Sequence, residues 1–159
     1  ETDFTKFTFD ASRTQRIADK FSLYAGVTGQ YSLDPLLVSE QFSLGGANFG
    51  SAYDPAEVLG DHGIAGKLEL RYGELLGEPY LNSYEFFTYY DIGRAWIREG
   101  GPRANDKRSL ASAGGGVRAG ITPALSTTLE VGVPLTKPAS NQGGHGNDPR
   151  IFLGASAKF

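Results

Sequence analysis

From Leu125 to Leu135 the chain alternates. Leu125, Thr127, Leu129, Val131, Val133 and Leu135 fall on one face, and Ser126, Thr128, Glu130, Gly132 and Pro134 on the other. A period of two belongs to a strand and not to a helix. The same alternation sets Ile64, Gly66, Leu68, Leu70 and Tyr72 against Ala65, Lys67, Glu69 and Arg71, so every charge in that stretch is on one side. Tyr84, Phe86, Tyr90, Ile92 and Trp96 likewise oppose Glu85, Phe87, Tyr89, Asp91 and Gly93. A slip of one residue would exchange the two faces of a strand completely, so this patterning also pins register.

Runs of this kind predict eight strands, at roughly 3–12, 20–32, 39–46, 63–73, 80–97, 108–121, 124–135 and 149–159. They are joined by segments rich in Gly, Pro, Asp and Asn, as at Gly77-Glu78-Pro79, Thr122-Pro123 and Asn141 to Pro149, which suits hairpins between antiparallel neighbours. Long and short connections roughly alternate. A soluble β-sandwich and a transmembrane barrel both alternate in this way. Three features favour the barrel. Several runs reach the ~9–11 residues that cross a bilayer at a tilt. The apolar faces mix Ala, Gly, Val and Leu with aromatics toward strand ends, which makes a thin core but a serviceable lipid surface with a girdle. The chain stops on a strand, with Ile151, Leu153, Ala155, Ala157 and Phe159 on one face. The expectation is therefore an all-β fold, an antiparallel transmembrane β-barrel domain over 1–159. Leu68, Leu70, Tyr84, Phe86, Tyr90, Leu129, Val131 and Leu153 would face lipid, with Gly26, Gly114, Gly116, Tyr24, Phe87 and Tyr89 on the opposite side.

Composition narrows the function. A net charge of −3 and a pI near 5.4 make nucleic acid a poor partner. The absence of cysteine removes disulfides and thiolate metal sites. No window holds 18 consecutive apolar residues, as a membrane helix would need. A chain of 159 residues without Met is expected to begin at a cleavage site or a cut end, so any leader would lie outside it.

Candidate chemistry is sparse. Asp61-His62 lacks the nucleophile elbow of a hydrolytic triad and reads as a loop turn. His145, in Gly-Gly-His-Gly-Asn-Asp with Asp148, reads as a solvated hairpin histidine and not as a metal ligand. Neither glycine-rich stretch has the strand-to-helix setting of a phosphate cradle. No enzyme, no metal and no cofactor are expected. Lys67, Glu69, Arg71, Glu85, Asp91, Arg118 and Glu130 share the polar parity of their strands and read as a mixed-charge interior face, against the alternative of a solvated sheet exterior. The connection from 46 to 63, with Pro55 and with Asp54, Glu57 and Asp61, is long enough to suggest a function of its own.

The segment Gln41 to Tyr72, QFSLGGANFGSAYDPAEVLGDHGIAGKLELRY, followed by FTYYDIGRAW at 87–96 and by the terminal strand ending in Phe159, resembles the haemolysin-activation and secretion transporters of the ShlB/FhaC type, the TpsB family. These share a superfamily with the outer-membrane assembly protein BamA. The resemblance runs from about Phe4 to Phe159. It implies a bacterial outer-membrane barrel of the two-partner secretion type that exports an unfolded exoprotein. The eight strands would be the last eight of sixteen, and the periplasmic POTRA domains and first strands are absent. It further implies that 46–63 folds into the lumen, and that Phe159 closes the signal read by the outer-membrane assembly machinery. Family members carry a V-R-G-Y/F-like tetrad, or a G-R-G/A-Y variant, where this chain has Gly50, Ser51, Ala52 and Tyr53. Its barrel-wall partner, F-x-D-x-G, survives as Tyr89-Tyr90-Asp91-Ile92-Gly93. The Arg is missing, which puts transport competence in question.

Two other functions remain open: a BamA-like insertion factor and a small autonomous eight-strand barrel with a filled interior. The first and last strands must be satisfied by pairing with each other, with a second chain or with a missing half. Asp91 needs a compensating group. The expectation is Arg71, Arg118 or water, with the loop tethered by Tyr53 and the Asp61 turn, and with Ser51→Arg stabilising.

Overall fold

The computed structural model describes residues 3–46, 48–98, 107–136 and 148–158. It is almost entirely antiparallel β. The strands are β1 (Lys6–Arg16), β2 (Phe21–Ser32), β3 (Phe42–Leu44), β4 (Val58–Gly60), β5 (His62–Glu78), β6 (Leu81–Trp96), β7 (Lys107–Gly120), β8 (Leu125–Pro134) and β9 (Arg150–Ala157). One 3-10 turn, Val38–Glu40, is the helical content among the described residues. Seven strands form one sheet in the order β1-β2-β5-β6-β7-β8-β9, and β3 pairs with β4 in a separate two-stranded ribbon.

The all-β antiparallel barrel architecture is the one read from the sequence, but the strand inventory differs at one place. The segment 39–46 is not a wall strand. Phe42, Ser43 and Leu44 pair with Gly60, Leu59 and Val58, and β2 pairs directly with β5, Val27 opposite Gly66. The run is too short to cross a bilayer, and Gly45 and Gly46 turn out of extended geometry at φ 111° and 96°, which ends it. The wall strands here therefore number seven, and the alternation of Phe42 and Leu44 serves to bury both against the sheet.

Rows of paired residues run across the sheet and make its two faces distinct. Gly26, Lys67, Asp91 and Ser112 are successive partners on β2, β5, β6 and β7, as are Ala25, Leu68, Tyr90 and Ala113 one residue away. The first row faces inward and is covered. The second faces outward. On the outward side Leu68 is 53% exposed and Leu153 80%, whereas the inward Glu69 and Asp91 are 3% and 0% exposed. Leu70, Phe86, Tyr90, Leu129 and Val131 are also exposed, and among the described residues no second sheet packs on this face. A sandwich would bury those residues and leave the carboxylates in water; a membrane wall does the reverse.

Aromatic clusters bound the outward apolar band. At the end with the long connections, Tyr31, His62 and Trp96 stack across three strands at centroid distances of 4.7 and 5.6 Å. At the end with the short turns, Phe21, Tyr72, Tyr84 and Phe86 follow one another at 4.8, 6.4 and 5.9 Å. Along β5 the girdles are anchored at His62 and Tyr72. Ten residues at the rise of a strand, tilted as in a barrel, span about 25 Å, the height of an outer-membrane apolar band.

Candidate functional site

The 33–61 connection between β2 and β5 does not extend away from the sheet. It folds over the inward face and is held there from base to tip. Gly45 and Gly50, at φ 111° and 78°, reverse the chain, and Gly45 N–H donates to Phe49 O at 2.9 Å. Wall glycines make room for it. A Cβ on Gly93 would lie 2.6 Å from Leu44 Cδ2, and one on Gly132 would lie 3.1 Å from the Ala52 Cβ. Phe42, Leu44, Tyr53 and Val58 from the connection bury themselves with Ala65, Ala95 and Leu110 from the wall. This small hydrophobic cluster lies on the inward side, between connection and wall.

At the base, Asp61 acts as a three-way acceptor. Its Oδ1 takes the Leu36 N–H at 3.0 Å and Gln41 Nε2 at 3.2 Å, and its Oδ2 takes the Arg98 N–H at 2.9 Å. The adjacent His62 has no part in this. Its Nδ1 accepts the Ser32 N–H at 3.2 Å while its ring stacks in the outer girdle. At the tip, the Tyr53 hydroxyl donates to Ala111 O or Thr136 O, at 3.1 and 2.6 Å, and accepts the Thr136 N–H at 3.0 Å.

Ser51 sits on Asp91. Its N–H and hydroxyl both donate to Asp91 Oδ2, at 3.2 and 2.9 Å, and Ser112 Oγ donates to Oδ1. Lys67 Nζ donates to Ser51 Oγ at 2.9 Å and lies 4.6 Å from the Tyr89 ring centroid. The expected partners of Asp91 are thus not the ones observed. Arg71 and Arg118 are engaged elsewhere: Arg71 Nε reaches Glu69 Oε1 at 2.6 Å, and Arg118 bridges Glu69 at 2.9 Å and Glu85 at 2.6 Å. Arg118 also covers the Phe87 ring at 3.8 Å, and Phe87 stacks with Tyr89. The reason is distance along the strand. Asp91 is level with Lys67 and Ser112, whereas Arg71 is four residues, or about 13 Å, further down.

Lys67, Glu69, Arg71, Glu85 and Arg118 are thereby brought together on one face. Glu130 lies on the same face, opposite Gly116, but is not hydrogen-bonded to either arginine. Gly50, Ser51, Ala52 and Tyr53 are buried between tip and wall, and Tyr89, Asp91 and Gly93 form the wall beneath them. A recess of about 460 Å³ remains between Asn48 and Phe49 of the connection and Asp10, Tyr24, Gly26 and Arg71 of the wall. His145, Phe159 and Ala47 lie outside the described residues. Sequence reasoning missed Ser112, Arg150 and the part played by Lys67 at Asp91. Inward parity was the available signal for each, but parity names a face and not a partner.

The haemolysin secretion/activation protein family ShlB/FhaC/HecB matches residues 1–119. The outer membrane transporter CdiB of Dickeya dadantii (strain 3937) is 29% identical over 140 residues, covering 86% of this chain and 24% of that protein. The structure of CdiB from Escherichia coli superposes with a TM-score of 0.78 at 22% identity, over 98% of this chain and 28% of that one. That of CdiB from Acinetobacter baumannii gives 0.72 at 19% identity, over 98% and 27%. The chain spans about a quarter of the length of each of these relatives.

Proposed function

The chain belongs to the haemolysin secretion/activation family ShlB/FhaC/HecB, and on that premise we propose that it is part of a bacterial outer-membrane translocator of the two-partner secretion type. Its client is an unfolded secreted polypeptide, its outer surface meets lipid, and it performs no covalent chemistry. The observation that carries this reading is the inversion of the sheet. Apolar side chains stand exposed on one face, while Glu69, Asp91 and a long connection are buried on the other. The inward face is the barrel lumen, the 46–63 segment is a lumen loop with Gly50, Ser51, Ala52, Tyr53 and Asp61 as its seat, and Tyr89, Asp91 and Gly93 are the wall motif. Lys67, Glu69, Arg71, Glu85, Arg118 and Glu130 give the lumen a mixed charge along which an extended polypeptide slides without sticking.

Strand direction supports a larger barrel over an autonomous one. With seven antiparallel strands, β1 and β9 run the same way, both from the long-connection end to the short-turn end. Closing them on each other would create a parallel seam, and so would a second copy inserted in the same orientation. Antiparallel closure needs an odd number of further strands; nine would make sixteen.

The test is export. The intact protein is expressed with its secreted partner in a Gram-negative host, and the partner is followed to the medium. Export that depends on the protein supports the reading. If the partner stays periplasmic while depletion of the protein halts the assembly of other barrels, the protein is an insertion factor of the BamA kind instead.

A further inference from the structure

Asp91 is fully buried, and an ionised carboxylate in that position requires a compensating cation as well as hydrogen bonds. Among the described residues, the groups that hydrogen-bond to it are the Ser51 N–H, the Ser51 hydroxyl and the Ser112 hydroxyl, none of them charged. A cation stands one bond away. Lys67 is the register partner of Asp91 on the neighbouring strand, and its ammonium donates to the same hydroxyl that donates to the carboxylate. Side chains of residues directly opposite in an antiparallel pair are close neighbours, with Cβ atoms ~4.5–5.5 Å apart. The positive charge therefore belongs to the wall, and the loop contributes a serine inserted between the two ions.

We propose that Lys67 is the positioning residue that makes the loop releasable. While the loop is seated, Ser51 relays Lys67 to Asp91. When the loop lifts, the ammonium closes directly onto the carboxylate, so that no buried charge is left without a partner. A cation carried by the loop would act in the opposite way, because its withdrawal would strand the carboxylate on the wall. Lys67 is suited to this movement: its ammonium lies over the Tyr89 ring, 4.6 Å from the centroid, on a flexible stem that allows the short shift onto Asp91. The inference rests on reading this face as the barrel interior, and it identifies what sets the loop's equilibrium there.

With any cysteine elsewhere in the intact protein replaced by serine, a cysteine at Val58 is unique, because this chain has none, and it stays buried against the wall until the loop lifts. Its labelling rate by a membrane-impermeant maleimide is measured in the intact protein in outer-membrane vesicles. The variants are K67R, K67M, S51R and K67M/S51R, each shown to be folded by the heat-dependent gel mobility of a barrel. K67M is expected to slow labelling by about tenfold, the effect of one charge-assisted hydrogen bond lost from the open state. K67R should label as the parent does. S51R, which the sequence alone predicts to be stabilising, instead sets two cations at one carboxylate because Lys67 already stands there, and should speed labelling, whereas K67M/S51R, with its single charge on the loop, should label slowest of all. If K67M labels faster or unchanged, Lys67 is merely a clamp or a bystander, and the proposal is overturned. It is overturned equally if S51R slows labelling while Lys67 is present. Loss of export with this order intact would refute the translocator reading alone.

Discussion

Arg150, the first residue of β9, donates to Asp54 of the loop at 2.7 Å across 96 residues of chain. A matching contact lies at the opposite end of the sheet, where Lys6 of β1 meets Glu40 at 2.9 Å. One connection thus spans the inward face and is tied by an ion pair to each end strand. Both pairs are partly solvated, so each is a modest tie whose importance lies in its position.

Separating Asp54 from Arg150 should loosen β9. Asp54→Asn and Arg150→Gln are expected to show a coupling of about 0.2–1 kcal/mol in a double-mutant cycle on the unfolding of the intact protein. Hydrogen exchange should quicken first in Arg150–Ala157. Because the pair is exposed, the coupling should fade in ~1 M salt. A coupling that persists there would mean that the two residues act through packing and not through charge.

Asp61 should be the most sensitive residue of the loop base. Asp61→Ala leaves the Leu36 and Arg98 backbone N–H groups and the Gln41 amide without their acceptor, at a cost of about 2–4 kcal/mol. Asp61→Asn keeps one acceptor oxygen and should lose about half as much. Equal losses in urea titrations of the two variants would show that charge, and not the number of acceptors, matters at this site.

The glycine at 93 is there for Leu44. Gly93→Ala brings a methyl to 2.6 Å from Leu44 Cδ2 and 3.0 Å from the Ala65 Cβ, and is expected to destabilise by about 1–3 kcal/mol through overpacking. Leu44→Ala in the same chain should recover part of that loss. If the double variant unfolds as readily as the two single losses together predict, Gly93 is required by the backbone and not by the loop.

On the outward face, Leu68→Arg should oppose membrane folding by about 2–4 kcal/mol. Reversible folding into liposomes, titrated with urea, measures it. A soluble sheet would tolerate this substitution at an exposed position, so an unchanged midpoint would contradict the lipid assignment of the whole row Ala25-Leu68-Tyr90-Ala113.

Much of the wall was legible in advance because the side-chain period of a strand is two. Lys67, Glu69 and Arg71 had to share a face opposite Leu68 and Leu70 whatever their partners were. The boundaries of β6 through β8 followed from Gly, Pro and Asn at the turns, whereas β5 runs on to Glu78, past the expected end at 73. The 39–46 segment misled for a definite reason: Phe42 and Leu44 alternate as a wall strand would, but two apolar positions do not say whether the surface they cover is lipid or another part of the chain.

What the sequence determined by itself is the identity of each face, since alternation survives any change of register by two, together with the Gly50-Ser51-Ala52-Tyr53 tetrad and the family resemblance. What only the tertiary structure decided is which residues stand level with one another. The β5–β6 hairpin shows why. A bulge between Leu75 and Glu78 shifts its register, and counted straight from the Glu78–Leu81 pair, Lys67 would fall opposite Ile92, an outward residue. The bulge sets it opposite Asp91. Alternation could demand such a correction but not locate it. Nor could alternation bring Ser51, 40 residues away in sequence, between the two charges; that contact depends on how a loop folds back across a curved sheet, and no local period encodes it.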